Sequence, residues 1–374
     1  MLPWEGWILQ EKVDRTRHAQ ATARFDVEIA SVASVVPAHK VSQEVVAETA
    51  QRFFPHLTGI ASVFANTGIA SRYVCEPPEW YYEARGWEER TASFQRNALA
   101  LLEEATLKAV AAAGIDLEDI GAIVTNTITG LAIPSLEARL INRLPFSRKV
   151  ERLPIFGLGC GGGVGGLARA IRIAETMPGG HVLFLTVDLC SLCARGNDMS
   201  VANFVSIALF GDGAAAVVLR NTRGGGGGLE GRSRGQIMAI GEHCWPDTEH
   251  IMGWDIKDNG FGVVLSADLP SLMRRELRPA LDDFLARNGL ELADIKGVLL
   301  HPGGRRVLDT AQDVLGLSKR DLSHSWDVLR EYGNMSSATA LFILERALRA
   351  GASGPHLLAA FGPGFSAYFI AIDL

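Results

Sequence analysis

The hydrophobic pattern divides the chain into short apolar runs and longer stretches of helical spacing. Residues 25–36, FDVEIASVASVV, are rich in β-formers and predict a strand. Residues 43–54 carry apolar side chains at helical intervals. Residues 91–114 predict a long amphipathic helix closed by Gly114. Three further runs, 120–130, 181–192 and 211–220, read as buried strands, the last following a Gly-Asp-Gly turn. Beyond residue 235 the alternation resumes with helix 270–290, strand and turn 295–304, helix 336–351, and two strands within 356–372 around Gly-Pro-Gly. Strands alternating with helices imply an α/β layered fold. The plan of 120–144 and 181–220 is repeated by 296–315 and 356–374, so the fold is expected in two halves. The expected division is an N-terminal arm 1–24, a first half 25–222 and a second half 236–374. Between the halves, RGGGGGLEGRSRG (223–235) holds five consecutive glycines and predicts a mobile surface loop.

Composition narrows the class. A chain of 374 residues, 48% hydrophobic and 21% charged, can bury a large core. A net charge of −6 speaks against a nucleic-acid-binding surface. The five cysteines (75, 160, 190, 193 and 244) are odd in number and lack framework spacing, which suits free thiols in a reducing, cytoplasmic compartment. The first 20 residues lack the basic and apolar segments of a secretory signal, and no apolar run approaches membrane-spanning length, so no stable membrane association is expected. Trp4 and Trp7, in the N-terminal arm, have no assignable role.

Three residues stand where apolar elements meet turns. Cys160 lies between LPIFGLG and a glycine-rich helix start, with five glycines in the six residues 161–166. A helix N-terminus lowers a thiol's pKa, and a bare backbone would let a substrate reach the sulfur. A buried structural cysteine at a helix crossing is the other reading. His301 ends the strand of GVLLHPGG, where a catalytic base or a capped surface histidine is found. Asn334, in EYGNMSSATALFIL, is a polar group presented at a turn or a plain N-cap. The CSLC spacing at 190–193 follows a buried strand without a redox context, and neither a disulfide nor a metal is expected there.

GCGGG, LFGDGAAAVVL, HPGGRRVLD, GNMSSATALFIL and FGPGF together resemble the bacterial type III polyketide synthases, the chalcone-synthase-like branch of the thiolase superfamily, from about residue 25 to the end. The resemblance implies a thiolase-like fold: two similar βαβαβ halves forming an αβαβα layered core. It implies a homodimeric acyltransferase that condenses an acyl-CoA starter with malonyl-CoA, without a cofactor or metal, and cyclises the product to a pyrone or resorcinol. Cys160 would be the nucleophile, His301 its base partner, Asn334 the second oxyanion donor and Phe210 the gatekeeper of the cavity. Thr129 and Gly130 would lie near the cavity floor, and Ile133 would reach across the dimer. Cys190, Trp254, Val263 and Ser336 would line the pocket. Arg72 is the only basic residue of 57–73, where plant members bind CoA phosphates; Arg305 and Arg306 are the substitutes. The alternative is a ketoacyl-carrier-protein synthase of the third type, whose patterns after the histidine and the asparagine differ from those here.

Overall fold

A computed structural model describes residues 25–55, 59–83, 85–196, 198–223, 234–258 and 260–374. The expectations for the arm 1–24 and for residues 224–233 of the glycine-rich loop lie outside these residues.

Nine strands form one mixed sheet in two blocks. The first block runs Val27–Val35, Asp212–Asn221, His181–Leu189, Ile120–Asn126 and Glu151–Ile155. The second runs Gly297–Leu300, Pro355–Gly362, Ser366–Asp373 and Gly235–Cys244. The blocks pair where Glu28 stands opposite Gln236 and Ile29 opposite Gly235. Strands 181–189 and 212–221 are buried almost throughout, as continuous apolar strands covered on both faces must be.

The helices explain why both faces are covered. Gly162–Glu175 and Ala338–Arg349 are apolar nearly all round and pack against strands of both blocks. Trp87–Ala113, ended by Gly114 in the left-handed conformation, covers the outer face of the first block. Leu269–Arg287 and Arg305–Leu315 cover the second. Three apolar cores therefore alternate with two sheet blocks, which is the five-layer order expected.

Close packing accounts for the glycine run. A methyl group at Gly163 would overlap the Ser337 carbonyl oxygen; one at Gly161 or Gly165 would meet the Tyr368 ring. The backbone of helix 162–175 lies directly against the second half. Gly163→Ala is therefore expected to destabilise the fold by about 1–3 kcal/mol or more, as overpacking does, and to displace the turn that carries Asn334. A melting temperature equal to that of the unmodified protein would contradict this.

Candidate active site

Cys160 sits in a single 3-10 turn, Gly159–Gly161, immediately before helix 162–175. His301 directly follows strand 297–300, and its backbone N–H donates to the Ala359 carbonyl at 2.8 Å, continuing the ladder for one residue. Asn334 lies between helices Ser323–Tyr332 and Ala338–Arg349. Its backbone N–H donates to the Leu209 carbonyl and its carbonyl accepts from Gly211 N–H, both at 2.9 Å, which locks it beside Phe210. The Asn334 side chain is also fixed. Oδ1 accepts from Ser336 N–H at 2.8 Å and Nδ2 donates to the Gly303 carbonyl at 3.2 Å. Ser336, at φ 51°, holds the left-handed conformation that turns the chain back for this bond.

These elements converge on one chamber of about 80 Å³. Cys160, His301, Asn334, Ser336, Phe210, Cys190, Trp254 and Val263 all line it. His301 is 2% exposed, and neither ring nitrogen has a hydrogen-bond partner among the described residues. Buried polar atoms are seldom left unpaired, so this imidazole is free to serve a thiol or a ligand. Burial pushes the His301 imidazole down to about 3. It also pushes the Cys160 thiol up to about 11; hydrogen bonding to Ser336 and Asn334 pulls the other way, and the Asp188 charge adds to the rise. Burial thus outweighs the helix N-terminus. Neither charge is favoured alone.

Other expected residues fall elsewhere. Thr129 is buried beside Asp188, with its hydroxyl accepting from Leu189 N–H at 2.8 Å and donating to the Asp188 carboxylate at 3.3 Å. It lines a separate cleft of about 20 Å³ with Gly130 and Cys193, and its neighbour Ile128 takes the place at the main chamber. Ile133 is 95% exposed and lines no part of the chamber within one chain. Arg305 and Arg306 are exposed at the start of a helix, two and three residues beyond the chamber-lining Gly303; Arg305 pairs with Asp309 at 3.4 Å. Arg72 is buried. Its guanidinium donates to the carbonyls of Ile207, Ala208 and Phe210 and to Gln43, and burial lowers it to about 9. It fixes the end of helix Val201–Leu209, and hence Phe210, rather than meeting a phosphate.

One site residue escaped sequence reasoning. Asp188 is fully buried and accepts from Ile128 N–H at 2.8 Å, Ser337 N–H at 3.0 Å and Ser337 Oγ at 2.5 Å. It joins the chamber wall of the first half to the Asn334 turn of the second. An acidic residue inside the apolar strand HVLFLTVDL was the available signal.

Residues 71–222 match the family of chalcone and stilbene synthases, N-terminal domain, and residues 236–370 match its C-terminal domain. The chain is 38% identical over 351 residues to 1,3,6,8-tetrahydroxynaphthalene synthase of Streptomyces peucetius subsp. caesius, covering 92% of each. It is 36% identical over 350 residues to the putative chalcone synthase of Bacillus subtilis (strain 168), covering 90% of this chain and 96% of that one. The crystal structure of 1,3,6,8-tetrahydroxynaphthalene synthase from Streptomyces coelicolor A3(2), a bacterial type III polyketide synthase, superposes with a TM-score of 0.86 at 30% identity, covering 92% and 99%. These likenesses favour the polyketide synthase over the carrier-protein alternative. With its thiolase-like fold, the chain belongs to the chalcone and stilbene synthase family of type III polyketide synthases, decarboxylating condensing acyltransferases.

Proposed function

We propose that the enzyme loads an acyl group from an acyl-CoA onto Cys160, extends it with malonyl-CoA and cyclises the chain to an alkyl pyrone or resorcinol. The observation that carries this reading is a buried histidine with two unpaired ring nitrogens in one chamber with a cysteine and an oriented amide. His301 takes the Cys160 proton as the sulfur attacks the thioester, and returns it to the departing CoA thiolate. Malonyl-CoA then loses CO₂. The C–C bonding pair becomes an enolate whose oxygen accepts hydrogen bonds from His301 and Asn334. Burial keeps His301 neutral at that stage, so it donates a hydrogen bond without quenching the carbanion. The enolate carbon attacks the acyl carbonyl and expels the Cys160 thiolate, leaving a chain two carbons longer on CoA. No cofactor beyond CoA thioesters enters these steps.

The starter is an aliphatic acyl group of medium to long chain. Cys190, Val263 and Ser336 give the chamber small or apolar walls. Each buried CH₂ contributes about 0.8 kcal/mol, so two carbons raise affinity roughly tenfold until the chain meets a wall. Trp254, in the strand Met252–Lys257, supplies that wall, held by its indole N–H donating to the Ile128 carbonyl at 2.8 Å. Trp254→Gly is expected to shift the preferred starter or product to greater length; an unchanged chain-length profile would remove Trp254 from this role. Mass spectrometry of products from malonyl-CoA with a panel of acyl-CoAs tests the reading, and products from malonyl or aromatic starters alone would overturn the aliphatic choice.

Residues 25–222 and 236–374 are taken as the two halves, and Arg305 and Arg306 as the cations that meet CoA phosphates. The protein is a homodimer with Ile133 at the subunit boundary. Leu131 and Ile133 form an exposed apolar tip unsuited to a free loop. Sedimentation at micromolar concentration is expected to give a dimer that Ile133→Lys weakens; a monomeric unmodified protein would contradict it.

A further inference from the structure

The Gly-Asp-Gly turn at 211–213 is a motif that the steps above leave unused. Its glycines answer to packing: a methyl group at Gly211 would overlap the Tyr332 carbonyl oxygen, and one at Gly213 the Met335 sulfur. Asp212 needs another explanation. It is fully buried at the first position of strand Asp212–Asn221 and lines no part of the Cys160 chamber. Taking a carboxylate out of water is costly unless its oxygens are hydrogen-bonded. Its donors come from two other segments. Oδ1 accepts from Ser191 N–H at 2.8 Å, and Oδ2 accepts from Cys75 N–H at 2.8 Å and from Ser191 Oγ at 2.5 Å. Tyr81 Oη stands 2.6 Å from the same Ser191 Oγ.

These bonds lead to the chamber wall. Ser191 follows Cys190 in the turn Cys190–Cys193, and Phe210 lies two residues before Asp212. Cys190 and Phe210 both line the chamber with Cys160. Between Phe210 and Asp212, Gly211 N–H donates to the Asn334 carbonyl. Asp212 therefore ties two wall residues to one point, and its bond from Cys75 ties that point to the end of strand Ser71–Val74. Arg72, on the same strand, donates to the Phe210 carbonyl, and its charge attracts that of Asp212.

We propose that Asp212 is a positioning residue for the choice of starter: through Ser191 and the turn at Gly211 it sets where Cys190 and Phe210 stand in the chamber wall. The proposal rests on the condensing function argued above and adds to it a residue that touches no substrate. An asparagine keeps the size of this side chain and loses its chemistry. It has one acceptor oxygen and an NH₂ that only donates, so a buried backbone N–H of Ser191 or Cys75 is left without its acceptor. Protonation acts on the native carboxyl in the same way, because the protonated oxygen turns from acceptor to donor. Burial pushes Asp212 up to about 6, against the bonds from Ser191 and Cys75. Of the groups around it, Arg72 keeps its charge at about 9, and Cys75, Tyr81, Cys190 and Cys193 are pushed up by burial and stay neutral. Glu76, beside Cys75, is paired with Arg96. Asp188, on the neighbouring strand, is a second buried carboxyl pushed up from its ordinary value. A pH effect that belongs to Asp212 must therefore vanish when Asp212 alone is replaced.

The test follows the ratio of kcat/KM for hexanoyl-CoA and decanoyl-CoA, with malonyl-CoA as extender, from pH 5 to pH 8 in the full-length enzyme and in Asp212→Asn. Titration of groups that serve both starters alike cancels in this ratio. At pH 7.5 the variant is expected to differ from the unmodified enzyme by about tenfold or more, since small displacements of positioning groups are costly. The unmodified enzyme should hold its ratio above about pH 6 and move towards that of the variant as pH falls through about 6. In Asp212→Asn the ratio should be flat. Ser191→Ala, which removes one of the three bonds and leaves both N–H donors in place, should shift the ratio in the same direction by less, and it carries the test if Asp212→Asn does not fold. An equal fall for both starters marks a purely structural role and overturns the proposal, as does a ratio unchanged in folded variants or a pH step that persists in Asp212→Asn; the condensing function then stands. An unmodified enzyme that accepts neither starter overturns the function and the proposal together.

Discussion

Cys160→Ala will stop chain formation without stopping loss of CO₂ from malonyl-CoA. The two events use different atoms of one chamber. In the proposed mechanism the sulfur holds the acyl group, whereas the enolate oxygen is met by His301 and the Asn334 amide, which is held by Ser336 and Gly303 without the thiol. Removing a nucleophile of this kind lowers turnover by at least about 10⁴-fold. Decarboxylation, followed as CO₂ or acetyl-CoA, should remain measurable in the same preparation. Product formation by Cys160→Ala, or loss of both activities in a variant that folds normally, would show that the division of labour is wrong.

Removing a donor should have the converse effect. Asn334→Ala and His301→Ala are each expected to slow decarboxylation by about 10²–10³-fold, the usual cost of one oxyanion donor. The two variants should differ at the thiol. Without His301 no base is left to take the thiol's proton, and hydrogen bonding to Ser336 and Asn334 only partly opposes the burial that pushes Cys160 up to about 11. A raised thiol pKa means that thiolate appears only as pH approaches it, so alkylation by iodoacetamide should be slow at pH 7 and rise about tenfold per pH unit. In Asn334→Ala the imidazole remains, and neutral-pH alkylation should stay much closer to that of the unmodified enzyme. Equal alkylation profiles in the unmodified enzyme and His301→Ala would remove His301 from its role as base partner.

The sequence made some of this architecture legible and hid the rest for identifiable reasons. Long elements with a clear period, such as helix 87–113 and the strand pair 355–362 and 366–373, were readable within a few residues. Helix 201–209 was not, because VANFVSIAL is an apolar run whose period does not separate strand from helix. Its N-cap was in view all along: Ser200 Oγ accepts from Asn203 N–H at 3.2 Å. Cys160, His301 and Asn334 stood out because each ends or precedes an apolar element at a glycine turn. Thr129 was misplaced by one residue. The strand ends at Asn126, and in the bend beyond it Ile128 meets the chamber while Thr129 turns to Asp188. The glycines after Cys160 are consistent in the sequence with either packing or substrate access, because nothing local reveals that Ser337 and Tyr368 press on them. An apolar cavity of about 310 Å³ beside the chamber was invisible for the same reason. Its walls come from residues 41–53, 72–90 and 190–210, which only the folded chain brings together.

The most direct test of the central claim is the site of acylation. The enzyme is mixed with a medium-chain acyl-CoA in the absence of malonyl-CoA, its intact mass is measured, and the modified peptide is mapped. The arrangement of Cys160 beside His301 and Asn334 predicts one acyl group per chain, on the peptide bearing Cys160, and none on Cys160→Ala. An adduct that persists in Cys160→Ala, or that maps to Cys190 or Cys244, would contradict it.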